Sequence, residues 1–238
     1  MRAVSLAPSA TATVAALGGS DRLVGVTTHC EDADAPVVGG WLNPDFERVA
    51  ALDPDVILTS DALQREVRDD LRERGFDVHH VEPTTLDDVL ASFAEIGDAV
   101  GRPDAGADLE AESRERVRRI REVAPEDGPV VYCEEWSDPP MAAGNWVPDV
   151  VEAAGGRYPF VDAGERSREV DASAVEAADP DHAVVHVCGK GDGVDPDFAG
   201  RGWEFDADVH VLDDSLLNQP SPRLLDGLER LAARIHGD

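Results

Sequence analysis

Lysine is almost absent from this chain. Of the 21 Lys+Arg among 238 residues only Lys190 is a lysine, and 50 Asp+Glu stand against them, a formal net charge of −29. A nucleic-acid backbone would repel such a surface, and so would an anionic membrane face. Dense carboxylate with little lysine is the composition of proteins that work in concentrated salt, where self-repulsion is screened. Long apolar runs are also lacking, so no stretch reaches the length that crosses a bilayer. Cysteine is scarce and odd in number, three residues, which does not make a disulfide framework. Met1-Arg2 passes directly into Ala3-Val4-Ser5-Leu6, which reads as a first core strand rather than a signal peptide. The chain as written is therefore expected in the cytoplasm, or outside the membrane had a leader been removed.

What is present is enough apolar content, 42%, for real cores. One short unit occurs twice: Ala51-Leu52-Asp53-Pro54-Asp55 runs into Val56-Ile57-Leu58, and Ala177-Ala178-Asp179-Pro180-Asp181 runs into Ala183-Val184-Val185. Each reads as a helix end, a proline stop and a buried strand, and their separation of 126 residues (179 − 53) predicts two similar lobes. The pairs Gly18-Gly19 and Gly155-Gly156 are 137 apart (155 − 18), so the first lobe carries about 11 extra residues (137 − 126).

Strands are predicted at Val4 to Leu6, Leu23 to Thr27, Val56 to Thr59 and Asp77 to Val81, alternating with helices at Thr11 to Leu17, from Asn43-Pro44-Asp45 to before Pro54, and at Gln64 to Arg74. Leu86, Val89, Leu90, Phe93 and Ile96 share one helical face, and after the Gly101-Arg102-Pro103 break Asp104 to Val123 shows only a thin apolar stripe. Such a stripe suits a helix bridging two lobes. The second lobe repeats the pattern with a strand at Val130 to Cys133, a helix from Val147, strands at Val184 to His186 and Val209 to Leu212, and a closing helix at Arg223 to Ile235. The expected fold is α/β: two Rossmann-like lobes with parallel sheets, 1–100 and 128–238, joined by one long helix in 101–127.

Ligands of open parallel sheets bind beyond the carboxyl ends of the strands. Those positions hold Ala7-Pro8-Ser9, Thr28-His29-Cys30, Ser60-Asp61, Cys133-Glu134-Glu135-Trp136, Val187-Cys188-Gly189 and Asp213-Asp214-Ser215, so all three cysteines fall on this rim. His29, Cys30, Cys133, Glu135 and Cys188 are candidates for a metal centre or metal enzyme, but no CxxC or HxxxH pair supports one, and no histidine can be assigned as base to a cysteine nucleophile. Gly189-Lys190-Gly191-Asp192-Gly193 lacks Walker spacing, and no GxGxxG follows the first strand. Trp41, Trp136, Trp146 and Trp203 all lie in or beside Gly/Pro/Asp-rich loops, which favours an aromatic-lined pocket for a flat ligand.

Three stretches carry a family resemblance: Val4-Ser5-Leu6-Ala7-Pro8-Ser9-Ala10-Thr11, Arg22 to Thr27, and Glu47 to Ile57. They look like the helical-backbone (class III) substrate-binding proteins of ABC-type importers for vitamin B12, haem and ferric siderophores. Glu135-Trp136 to Pro140, Gly144-Asn145-Trp146-Val147-Pro148, Ala154-Gly155-Gly156, Cys188-Gly189 and Ser221-Pro222-Arg223 to Glu229 resemble its cobalamin-binding branch. The resemblance covers nearly the whole chain. It implies a non-enzymatic protein holding a corrinoid as ligand, with no covalent cofactor, in a groove between two lobes. The contact set it implies is Pro8, Ser9, His29, Trp41, Asp61, Trp136, Trp146 and Asn218.

The resemblance further implies a permease partner docked through one glutamate per lobe. Glu47 matches the first, while 126 positions on stands Ser173, with Glu176 one turn away. The expected role is uptake or intracellular corrinoid handling. A ferric-siderophore or haem binder on the same fold is the alternative, although the loops offer few basic residues besides Arg166, Arg168 and Arg223.

Overall fold

The computed structural model describes residues 1–31, 33–125 and 127–237; Glu126, inside the expected bridging segment, and Asp238, at the end of the second lobe, lie outside them. The chain forms two compact units, Met1–Pro83 with Asp87–Ser113, and Thr84–Leu86 with Arg114–Asp238. Sequence punctuation puts boundaries at 100 and 128, whereas the division between compact units falls inside one long helix.

The first unit contains β1 (Ala3–Ser5), α1 (Pro8–Ala16), β2 (Leu23–Val26), α2 (Phe46–Ala51), β3 (Val56–Ser60), α3 (Arg65–Glu73), β4 (Val78–Val81), most of α4 (Leu86–Ala99) and the first half of α5 (Pro103–Val123). Its sheet is wholly parallel in the order β2-β1-β3-β4. β1 and β3 are buried at every position, as continuous strands must be when helices cover both faces. Ala10, Val14, Ile96 and Val100 pack on one face, and Val49, Val67 and Leu71 on the other.

The second unit contains β5 (Val131–Ser137), β6 (Pro140–Ala142), α6 (Val147–Ala153), β7 (Arg168–Glu169), α7 (Ala172–Ala178), β8 (His182–Val185), β9 (Asp208–Val211) and α8 (Arg223–His236). Its sheet runs β7-β6-β5-β8-β9, with β5, β8 and β9 parallel and β6 and β7 antiparallel. The expected parallel sheet is present as β5-β8-β9, and β6 and β7 extend it as antiparallel strands beyond that expectation. β5 outlives its parallel partner: pairing with β8 ends at Glu134↔Val185, and the strand continues as a hairpin to Ser137↔Pro140. Strands of two and three residues are too short to show a period.

The repeated Asp-Pro-Asp units do the same work in both sheets. Asp53 and Asp179 take left-handed backbone (φ 45° and 48°) where α2 and α7 end, a conformation Asp tolerates better than most residues. The second aspartate then reaches the start of the neighbouring strand: Arg2 N–H donates to Asp55 Oδ2, and Val130 N–H to Asp181 Oδ2, each at 2.7 Å. The length difference between lobes also has a place. β1 pairs with a full strand, β2, whereas its counterpart segment makes only the isolated bridge Val130↔Arg157. Among the described residues no helix is long and apolar enough to cross a membrane.

Candidate functional site

In the first unit the chain moves from β1 to β2 on one side and then returns to β3 on the other, so the loops after β1 and β3 flank the point where strand order reverses. Backbones diverge at such a point and leave a crevice at the carboxyl ends. Gln64 pins this rim. Fully buried, it accepts from Ser60 N–H at 2.8 Å and donates to Leu6 O at 2.9 Å and Trp41 O at 2.7 Å. One side chain thus ties together the segments carrying Pro8, Asp61 and Trp41. Pro8 opens α1, where its missing N–H costs nothing, and Ser9 is buried behind it. Asp61 sits at φ 75° and caps its own turn by accepting from Leu63 N–H. Trp41 is half-buried and His29 is exposed.

Cys30, beside His29, is buried. Its Sγ takes a hydrogen bond from Thr11 Oγ1 at 3.1 Å and lies 3.2 Å from Thr27 Oγ1, within a network that includes Ser5. This is a satisfied core thiol.

In the second unit Trp136 stands in the last part of β5, where the strand pairs with β6, 45% exposed, with its indole N–H donating to Asp138 O at 2.9 Å. Beneath it Glu134 is 1% exposed and accepts from Tyr132 Oη, Ser137 Oγ and Arg201 Nη2 at 3.1, 2.7 and 3.0 Å. After β8, His186 and Asn218 bond each other, and Asp214 accepts from both Gly189 N–H and Gly191 N–H, fixing the loop that carries Cys188. Burial, then the Asp214 and Glu135 charges, push the Cys188 thiol up, against the Asn218 hydrogen bond.

Trp146 and Trp203 stand elsewhere than a pocket lining. Trp146 is 5% exposed, its N–H is spent on Leu217 O at 2.7 Å, and it packs inside the unit because α6 turns it inward. Trp203 is buried among Tyr132, Phe198 and Phe205. The metal reading finds no support among the described residues, where no three His, Cys, Asp or Glu side chains converge. Cys133 is fully buried, and burial raises its thiol far above the usual range.

Glu47 is exposed in the first turn of α2, whose N-cap is Asp45. Ser173 is exposed too, but Glu176 is committed, its Oε1 accepting from Glu204 N–H at 2.8 Å. Sequence reasoning missed Gln64 and Arg201 as site residues. Gln64 reads only as a polar helix start, and Arg201 lies in a Gly/Asp-rich loop that hides its partner 67 residues away.

A model of the periplasmic binding protein family matches residues 4–201. A cobalamin-binding protein of Halobacterium salinarum is 28% identical over 257 aligned residues, covering 99% of this chain and 69% of that protein. A vitamin B12-binding protein of Vibrio cholerae is 25% identical, covering 98% and 88%. Among solved structures, the periplasmic vitamin B12 binding protein of Vibrio cholerae matches with a TM-score of 0.81 and 24% identity over 99% of this chain and 96% of that one. A periplasmic heme-binding protein from Roseiflexus matches at 0.79 and 24%, over 99% and 98%. At these identities the two structures speak to fold alone.

Proposed function

The chain belongs to the periplasmic binding protein family, and from that premise we propose that it is a non-catalytic binding protein for a corrinoid, the ligand class named for its relatives. The observation that carries this reading is Trp136: a large indole left 45% exposed at the end of a strand, its N–H already bonded, so that its apolar face is free for a flat conjugated ligand. Trp41, His29 and Asp61 supply the corresponding rim of the first unit, and Asn218 that of the second. Trp146 supports this set from within rather than touching ligand.

Titration with cyanocobalamin in concentrated salt, following tryptophan fluorescence and the corrin absorbance, tests the reading. Quenching with a spectral shift is expected. No change at tens of micromolar corrinoid overturns it, and haemin titrated in parallel separates the haem-binding alternative.

The partner this reading adds is an ABC-type permease, met by exposed Glu47. With Ser173 at the matching place and Glu176 engaged by the Glu204 N–H, docking is one-sided and weak. Fractionation and uptake in cells that depend on this protein alone decide between delivery to a permease and cytoplasmic handling; full uptake would contradict weak docking.

A further inference from the structure

Resting on the corrinoid-binding reading, we propose that Glu134 and Arg201 are positioning residues for Trp136, setting ligand affinity through the hairpin without touching the ligand. Trp136 lies on an antiparallel ribbon with a register shift between Glu134 and Trp136, beyond the last parallel pair Glu134↔Val185. The indole N–H is bonded to Asp138 O, and its direction depends besides on what holds the backbone on either side of it.

Both neighbours are held. On one side Cys188 N–H donates to Glu135 O at 3.1 Å. On the other, Ser137 is gripped twice: its hydroxyl donates to the Glu134 carboxylate at 2.7 Å, and its carbonyl accepts from Arg201 Nη1 at 3.3 Å. The same guanidinium pairs with Glu134 at 3.0 Å and lies 4.6 Å over the Phe198 ring and 4.8 Å over Trp203. Arg201 is therefore a planar plug, fixed by stacking on two rings and offering two donors at a set angle. A lysine can supply the charge but neither the fork nor the stack. Glu134, almost fully buried, has its carboxylate satisfied by Tyr132, Ser137 and Arg201 together, and Arg201 alone brings the opposite charge among them. A pair so enclosed is little screened by salt, so it keeps its hold where an acidic surface is bathed in counterions.

The test uses full-length protein labelled with 5-fluorotryptophan, the Trp136 resonance being assigned with Trp136→Phe. In Arg201→Lys and in Glu134→Gln the Trp136 line is expected to shift or broaden while the Trp41 line stays in place. Cyanocobalamin affinity is expected to fall roughly tenfold, whereas Arg201→Lys added to Trp136→Phe costs less than about twofold further, the non-additivity of coupled residues. An unmoved Trp136 line in both variants, or the same loss of affinity in both backgrounds, overturns the proposal. If the wild-type protein leaves the corrin spectrum unchanged, the corrinoid reading fails and the fluorine spectra alone decide whether the pair positions Trp136.

Discussion

Asn218 and His186 hold each other at two points: Asn218 Nδ2 donates to His186 O at 2.9 Å, and its Oδ1 faces His186 Nδ1. The first bond fixes the amide, so Oδ1 is an acceptor and Nδ1 carries the imidazole proton. Nε2 is left with a lone pair, buried and without a hydrogen-bond partner among the described residues. A neutral ring suits that place. Burial lowers the pKa of His186 to about 4, against the opposing pulls of Asn218 and Asp214.

This imidazole gives a pH dependence of known sign. Its folded value lies below the unfolded value near 6.5, so the unfolded chain takes the proton first. Stability is full above about pH 6.5 and falls as pH drops toward 4, by on the order of 3 kcal/mol for this group. Burial also lowers His79, His80 and His210, which add in the same direction. Urea unfolding at pH 7 and pH 5 in fixed salt should show the loss, and His186→Gln should flatten it; an unchanged slope would remove His186 as its source.

Gln64→Leu should unfold at lower urea with m unchanged. The substitution strands Ser60 N–H and the carbonyls of Leu6 and Trp41. Buried polar groups left unpaired cost about 1–3 kcal/mol each, so with three of them a loss of at least roughly 3 kcal/mol is expected. Gln64→Glu keeps the acceptor but sets a carboxylate against two carbonyls, and its penalty should be larger at pH 7 than at pH 4.

Gly97→Ala should destabilise the protein although alanine is the better helix former. A Cβ at Gly97 would stand 2.7 Å from Gly106 Cα, where α4 and α5 pack backbone to backbone. The helix-propensity gain of about 1 kcal/mol is outweighed by overpacking of about 1–3 kcal/mol. A raised melting temperature would show that the helices can part at little cost.

Thiol chemistry should separate the three cysteines. Cys188 is exposed, while Cys30 and Cys133 are buried. One thiol should react with Ellman's reagent in the folded protein and three in denaturant, with Cys188→Ser abolishing the first. Because the Cys188 pKa is raised, its labelling should speed up through and beyond the usual cysteine range.

The doubling and the order of the longer elements were legible in the chain itself. Gly, Pro and Asp punctuation is local chemistry: Asp53 and Asp179 accept left-handed backbone from their own side chains' size, and Asp55 and Asp181 then find the strand that the repeat brings beside them. Burial of β1, of β3 and of β8 from Ala183 on was legible from the apolar residues that open or fill these strands. The rim was legible only in part. Trp136 and Trp146 look alike in sequence, each a tryptophan beside turn formers, yet one stands exposed on a ribbon and the other spends its N–H on Leu217 O. The folded chain separates them, because exposure depends on partners far along the sequence. The same holds for Gln64 with Leu6, Arg201 with Glu134 and Asn218 with His186: contacts across 58, 67 and 32 residues leave no periodic trace, since they are set by where the folded strands end.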